Sequence, residues 1–162
     1  IIYFNMLEQI STYFTIEMVY LWLNIGVIPF WLMLIFLPNS KLGSIFVSSI
    51  FPIFILSGAY VYIFYKSFLG SYDFSNNFTL YLGINNLSEL FTNSEFLIIF
   101  WTHFLAINLF CGSWMSRDGS RLLISKYLMF VPLIITYFVG PLGIFIYWII
   151  RMFYAKKISL YE

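Results

Sequence analysis

Charge is what this chain has least of. Only 9% of its 162 residues are Asp, Glu, Lys or Arg, while 62% are hydrophobic, and the mean hydropathy is +0.90. A soluble domain carries roughly a quarter of its residues as charges to cover its surface. A bilayer makes no such demand, because hydrocarbon solvates the outside. The class is therefore an integral membrane protein, all α-helical. The net charge of +1 argues against nucleic acid, which requires a basic patch. A single Cys, Cys111, excludes an intrachain disulfide and leaves the redox compartment unread. With only one His, His103, no bis-His haem can be built from this chain alone, and no spacing of acids with Cys or His suggests a metal site. Nothing pairs a nucleophile with a base, cradles a phosphate or sets two carboxylates together. The N-terminus lacks the basic leader, short apolar run and small-residue cleavage site of a signal peptide. Alanine is scarce while Phe (20) and Tyr (13) abound, a bias toward AT-rich codons that suggests an organellar gene. The start at Ile1 is read either as a trimmed terminus or as a non-AUG start.

What is present is a set of long apolar runs. A bilayer core takes about 20 mainly apolar residues per helix, and four stretches qualify, at about 18–37, 44–65, 96–114 and 126–150. The first stops at Pro38-Asn39-Ser40. The second contains Pro52 and Gly58. The fourth contains Pro132, and Gly140-Pro141 should kink or briefly break it. Residues 3–16 place Tyr3, Met6, Leu7, Ile10, Tyr13 and Phe14 at helical spacing, as a short interfacial helix. Residues 66–95 form the longest polar connection, with a short surface helix expected near Leu87–Phe91 and Ser88 as a candidate cap. There is no repeat, so residues 1–162 are read as one transmembrane domain. On four crossings, Lys66, Arg151, Lys156 and Lys157 face Lys41, Arg117, Arg121 and Lys126 across the membrane, and the balance gives no orientation.

Few residues could carry chemistry. His103 lies within the third span, and an intramembrane ionisable group is a functional hypothesis by default. Haem ligation, proton relay and contact with a carotenoid hydroxyl stand beside the plainer reading, a neutral His fixing helix packing. No cofactor is predicted, and carotenoid, haem and quinone are the classes such a site could take. Asn108 sits about 140° from His103 around a helix, so the two address different neighbours, and an interhelical hydrogen bond is the expected use of Asn108. Asn24 reads the same way. Trp114, Gly140 and Pro141 complete the packing set. Glu17 could pair with Arg151. Arg117, Asp118, Arg121 and Lys126 read as a short basic loop, with Arg117, Arg121 and Lys126 meeting anionic lipid head groups.

The third span is the most distinctive: Trp101-Thr102-His103-Phe104-Leu105-Ala106-Ile107-Asn108-Leu109-Phe110-Cys111-Gly112-Ser113-Trp114. With Asn24, Pro29, Trp31 and Leu37-Pro38-Asn39 before it, and Thr136, Phe138-Val139-Gly140-Pro141-Leu142-Gly143 and Tyr147 after it, the chain resembles the abscisic-acid-deficient-four family over roughly residues 20–150. That resemblance implies a four-helix membrane protein tied to xanthophyll conversion and neoxanthin formation in plastids, with bacterial members as well. It further implies that Asp usually stands at the position of Asn108 and Arg at that of Ser113. An unpaired charge is costly to bury, so losing both together leaves no orphan. That is the pattern of a scaffold kept after its polar site is given up. No catalytic residue is carried over.

The leading expectation is a non-catalytic accessory subunit of a larger energy-transducing complex in the mitochondrial inner membrane, with other membrane subunits and lipids as partners. Plastid and bacterial inner membranes are the alternative locations. The first alternative function is an enzyme of xanthophyll conversion, with His103 moving a proton and Asn108 orienting a hydroxyl. The second is a haem- or quinone-binding anchor using His103.

Overall fold

A computed structural model describes residues 15–38, 40–41, 51–70 and 73–155, without the side chains of residues 68, 74, 76 and 77. Every regular element among them is helical: α1 Ile16–Phe36, α2 Phe51–Leu69, a 3-10 helix Phe74–Tyr81, α3 Ile84–Leu90, α4 Ser94–Arg121, α5 Lys126–Phe138 and α6 Gly140–Ala155. Two of these, α1 and α4, are long and apolar enough to cross a membrane. The expected interfacial helix lies outside the described residues, apart from Thr15 and Ile16 at the start of α1. Residues 44–50 of the expected second span lie outside them too.

Local chemistry explains the ends. The Met18 N–H donates to the Thr15 hydroxyl at 3.3 Å, and α1 gives way just before Pro38, whose ring cannot continue a helix. Asn93 caps α4, its Oδ1 accepting from the Glu95 and Phe96 N–H groups at 2.9 and 3.0 Å. Ser88 is not a cap. It lies inside α3, which begins one residue past Gly83, and φ there is +131°, a value an L side chain rarely adopts. Phe91 then packs edge-on against Phe96 and Phe100, with ring centroids 5.4 and 4.8 Å apart, fixing the turn between α3 and α4.

The described residues cluster into two compact units, one from 15–26 and 56–104, the other from 27–55 and 105–155, so α1, α2 and α4 contribute to both. In the first, Leu23, Ile63, Ile98 and Ile99 are buried. In the second, Val27, Trp31, Leu34, Leu109, Met115, Leu133 and Tyr147 are. Trp22, Phe54 and Phe145 are each more than half exposed, an apolar exterior that lipid would cover.

In the second unit the helix bounds differ from the third and fourth stretches read from the sequence. Helix α4 runs on to Arg121, seven residues past Trp114, so Arg117, Asp118 and Arg121 belong to a helix and not to a loop. It closes in a Schellman turn: Ile124 N–H donates to Gly119 O at 2.9 Å and Leu123 N–H to Ser120 O at 3.2 Å, with Leu123 at φ +56°. The stretch 126–150 is no single helix. Its first part, α5, has 13 residues and α6 has 16, about 20 and 24 Å at 1.5 Å per residue, against a hydrocarbon core of about 30 Å.

The two halves fold back on each other at Val139. Its N–H donates to Ile135 O at 2.7 Å, ending α5, and its carbonyl accepts from Leu142 and Gly143 N–H at 3.0 and 3.3 Å, opening α6. One residue thus satisfies both broken helix ends, with Pro141 in the first turn of α6, where a missing N–H costs nothing. Gly143 lets the halves touch. A Cβ there would collide with the hydroxyl and amide nitrogen of Thr136 and with the Pro132 carbonyl. Contact between positions 132 and 143 requires antiparallel helices. Gly140-Pro141 therefore marks a reversal and not a kink, and Lys126 and Arg151 return to the same end of the hairpin.

Candidate functional site

Polar groups in the second unit line the face of α4 that meets the hairpin. Asp118, on the extension of α4, is 6% exposed. Its Oδ2 accepts from the Tyr147 hydroxyl at 2.5 Å and from Arg151 Nε at 2.6 Å. Tyr147 and Arg151 stand four residues apart on α6, so both face α4. Tyr147 is fully buried and Arg151 is 5% exposed. Aromatic rings enclose the cluster. Trp114 meets Tyr147 edge-on at 5.5 Å, and the Arg151 guanidinium lies 5.2 Å from the Trp148 ring centroid. A carboxylate with two donors, one of them cationic, is stable in such a place because charge is neutralised and the hydrogen bonds are made. The arrangement is a clamp holding α6 to α4.

Ten residues back along α4 from Asp118, about three turns, the chemistry is incomplete. Asn108 is 5% exposed and its amide lies against Gly140 at the start of α6, so closely that a Cβ on Gly140 would overlap the Asn108 Oδ1. The Asn108 Nδ2 is buried and has no hydrogen-bond partner. An unmet amide donor costs about 1–3 kcal/mol, so this position is a ready donor for an oxygen brought from outside the chain. Ser113 is buried one helical turn and a half below it. Gly112, next to it, takes the Trp31 indole against its backbone, where a Cβ would lie 2.7 Å from the ring.

The other singled-out residues lie elsewhere. His103 is on an exposed face of α4, its ring 6.4 Å from that of Tyr60. Asn24 bridges α1 and α4 within the first unit. Its Nδ2 donates to Tyr20 O at 2.7 Å, and its Oδ1 accepts from Trp101 Nε1 at 3.3 Å. Arg117, Arg121 and Lys126 are exposed around the turn between α4 and α5, and Lys126 Nζ sits 5.4 Å from the Tyr127 ring centroid. Glu17 is exposed, and Arg151 is held by Asp118 rather than by Glu17. Among the described residues, no three of His, Cys, Asp and Glu come together as a metal site would need.

The Asp118–Tyr147–Arg151 clamp is what sequence reasoning missed. Two signals point to it: Asp118 is the sole acid between Glu95 and Glu162, and Tyr147 and Arg151 are an i, i+4 pair on an otherwise apolar helix.

A family model described as ABA DEFICIENT 4-like matches residues 18–147. The match takes in Asn108, Asp118, Tyr147 and the hairpin apex, and stops four residues short of Arg151. No curated protein and no solved structure matches the chain.

Proposed function

This chain belongs to the ABA DEFICIENT 4-like family, and from that membership we propose that it acts on a xanthophyll within the membrane, in the conversion chemistry linked to neoxanthin. The observation that carries this reading is the family match over 18–147. The buried, unpartnered Asn108 amide inside that stretch supports it. A hydroxyl or epoxide oxygen of an oxygenated carotenoid would supply the acceptor that Asn108 Nδ2 lacks. His103 is on an exposed face of α4, about 140° around the helix from Asn108, and takes no part in this contact. On the resemblance that puts Asp and Arg at positions 108 and 113 in relatives, this chain carries an uncharged version of the site, suited to a neutral oxygen. The respiratory accessory-subunit reading gains no support from the comparisons, and an apolar exterior is as well explained by lipid as by neighbouring subunits.

The test is expression in a host membrane that accumulates an epoxide-bearing xanthophyll, followed by chromatography of the pigments. Wild type is expected to convert it. Asn108→Ala should slow conversion by about tenfold or more, the worth of one hydrogen bond that strengthens in the transition state. The thermal midpoint should stay within a few degrees, because the Nδ2 makes no bond in the fold. A wild-type chain that inserts fully and leaves the pigment unchanged would overturn the proposal.

A further inference from the structure

The first unit holds a cavity of about 190 Å³ where three helix ends meet. The first turn of α1 contributes Ile16 and Val19, the last turns of α2 contribute Lys66 and Ser67, and the first turn of α4 contributes Glu95. At about 30 Å³ per water-sized group, the space takes roughly six such groups. Its walls are apolar apart from Tyr62, Lys66, Ser67 and Glu95. Glu95 Oε2 is buried and has no hydrogen-bond partner, although the Glu95 N–H is taken up by the Asn93 cap. A carboxylate oxygen closed off from solvent calls for a donor, and a cationic donor makes the strongest such bond.

Three further observations narrow the occupant. Lys66 lines the same cavity with the opposite charge, its Nζ 5.8 Å from the Tyr62 ring centroid. Ser67 places a buried residue with a hydroxyl beside it. Its charged residues, Lys66 and Glu95, sit in the last turn of α2 and the first turn of α4, as expected of a cavity at the depth of polar head groups. A carboxylate and an ammonium across one small space match a zwitterion with its charges reversed. We propose that this cavity is a binding site for the zwitterionic head group of a membrane lipid bearing a primary ammonium. The ammonium donates to Glu95 Oε2, the phosphate faces the Lys66 side, and the acyl chains leave along the apolar flank of Ile16 and Val19. The site is separate from Asn108 and stands whether or not the chain converts a xanthophyll.

Head-group chemistry gives a direct test. Phosphatidylcholine carries the same charges as phosphatidylethanolamine, but its trimethylammonium has no N–H to donate. The full chain would be placed in nanodiscs of equal parts of the two lipids, released into mild detergent, and the retained lipid read by native mass spectrometry. One phosphatidylethanolamine per chain is expected, favoured over phosphatidylcholine by about tenfold or more, the size of a charge-assisted hydrogen bond. Glu95→Gln should abolish the preference, while Glu17→Gln, an exposed acid outside the cavity, should leave it intact. The comparison of head groups in wild type needs no variant, so it decides the matter even if Glu95→Gln fails to insert. Equal retention of both lipids, retention of none, or a hydroxylated carotenoid held in their place would overturn the proposal.

Discussion

Asp118→Ala is expected to destabilise the protein by about 3–5 kcal/mol, the usual cost of removing one partner of a buried ion pair. The loss strands the Arg151 guanidinium among Trp148 and its buried neighbours, and takes the acceptor from the Tyr147 hydroxyl. At about 2–4 °C per kcal/mol for a chain of this size, the thermal midpoint in detergent should fall by roughly 10 °C. The pair also supplies its own control. Replacing a buried ion pair with apolar residues of similar volume is often neutral or stabilising, so Asp118→Leu with Arg151→Met should recover most of the loss. Arg151→Met alone should be as damaging as Asp118→Ala, since it leaves the carboxylate buried with Tyr147 as its remaining partner in the clamp. A double variant no better than either single one would show that the three residues do more than hold α6 to α4.

Gly143→Ala is the second large effect. The added methyl falls on backbone, the Thr136 amide and the Pro132 carbonyl, and backbone cannot rotate away. Overpacking in a tight core costs about 1–3 kcal/mol, and this contact belongs at the upper end because α5 and α6 must separate to relieve it. Gly140→Ala makes the comparison. Its methyl meets the Asn108 amide, a side chain that can turn aside, so its cost should be smaller. Thermal midpoints of the two variants in the same detergent decide the order. If Gly140→Ala proves the more damaging, the close approach of the helices lies at the apex and not at Gly143.

Particular residues show which parts of this structure the sequence makes legible. Apolar runs long enough to cross a bilayer announce α1 and α4, and Pro38 announces the end of α1, because length and a missing N–H act locally. The break at Gly140-Pro141 was equally visible, but its outcome was not. A kink and a reversal share the same local signal. What separates them is the contact of Gly143 with Pro132 and Thr136, a tertiary fact. The end of α4 at Arg121 is hidden from the sequence for a related reason. Arg117, Asp118 and Arg121 look like a solvated loop when only their charges are counted, and Asp118 becomes a helical core residue only once Arg151 is brought to it. Polar packing within single spans was easier to read. Asn24 and Asn108 stand out in an apolar helix, though nothing in the sequence said that one amide would find both its partners while the other kept a free donor.

The most direct measurement is the sidedness of the two ends of the α5–α6 hairpin. Single cysteines would be placed at Lys126 and Tyr154 in a Cys111→Ser background, in sealed, right-side-out vesicles, and labelled with a membrane-impermeant maleimide before and after permeabilisation. Both positions are exposed and flank the hairpin, so the substitutions should leave the clamp intact. The reversal at Val139 predicts that the two cysteines share one side: both label before permeabilisation, or both only after it. Labelling from opposite sides would mean that residues 126–150 cross the membrane as one span, and that the Asp118–Tyr147–Arg151 clamp does not form.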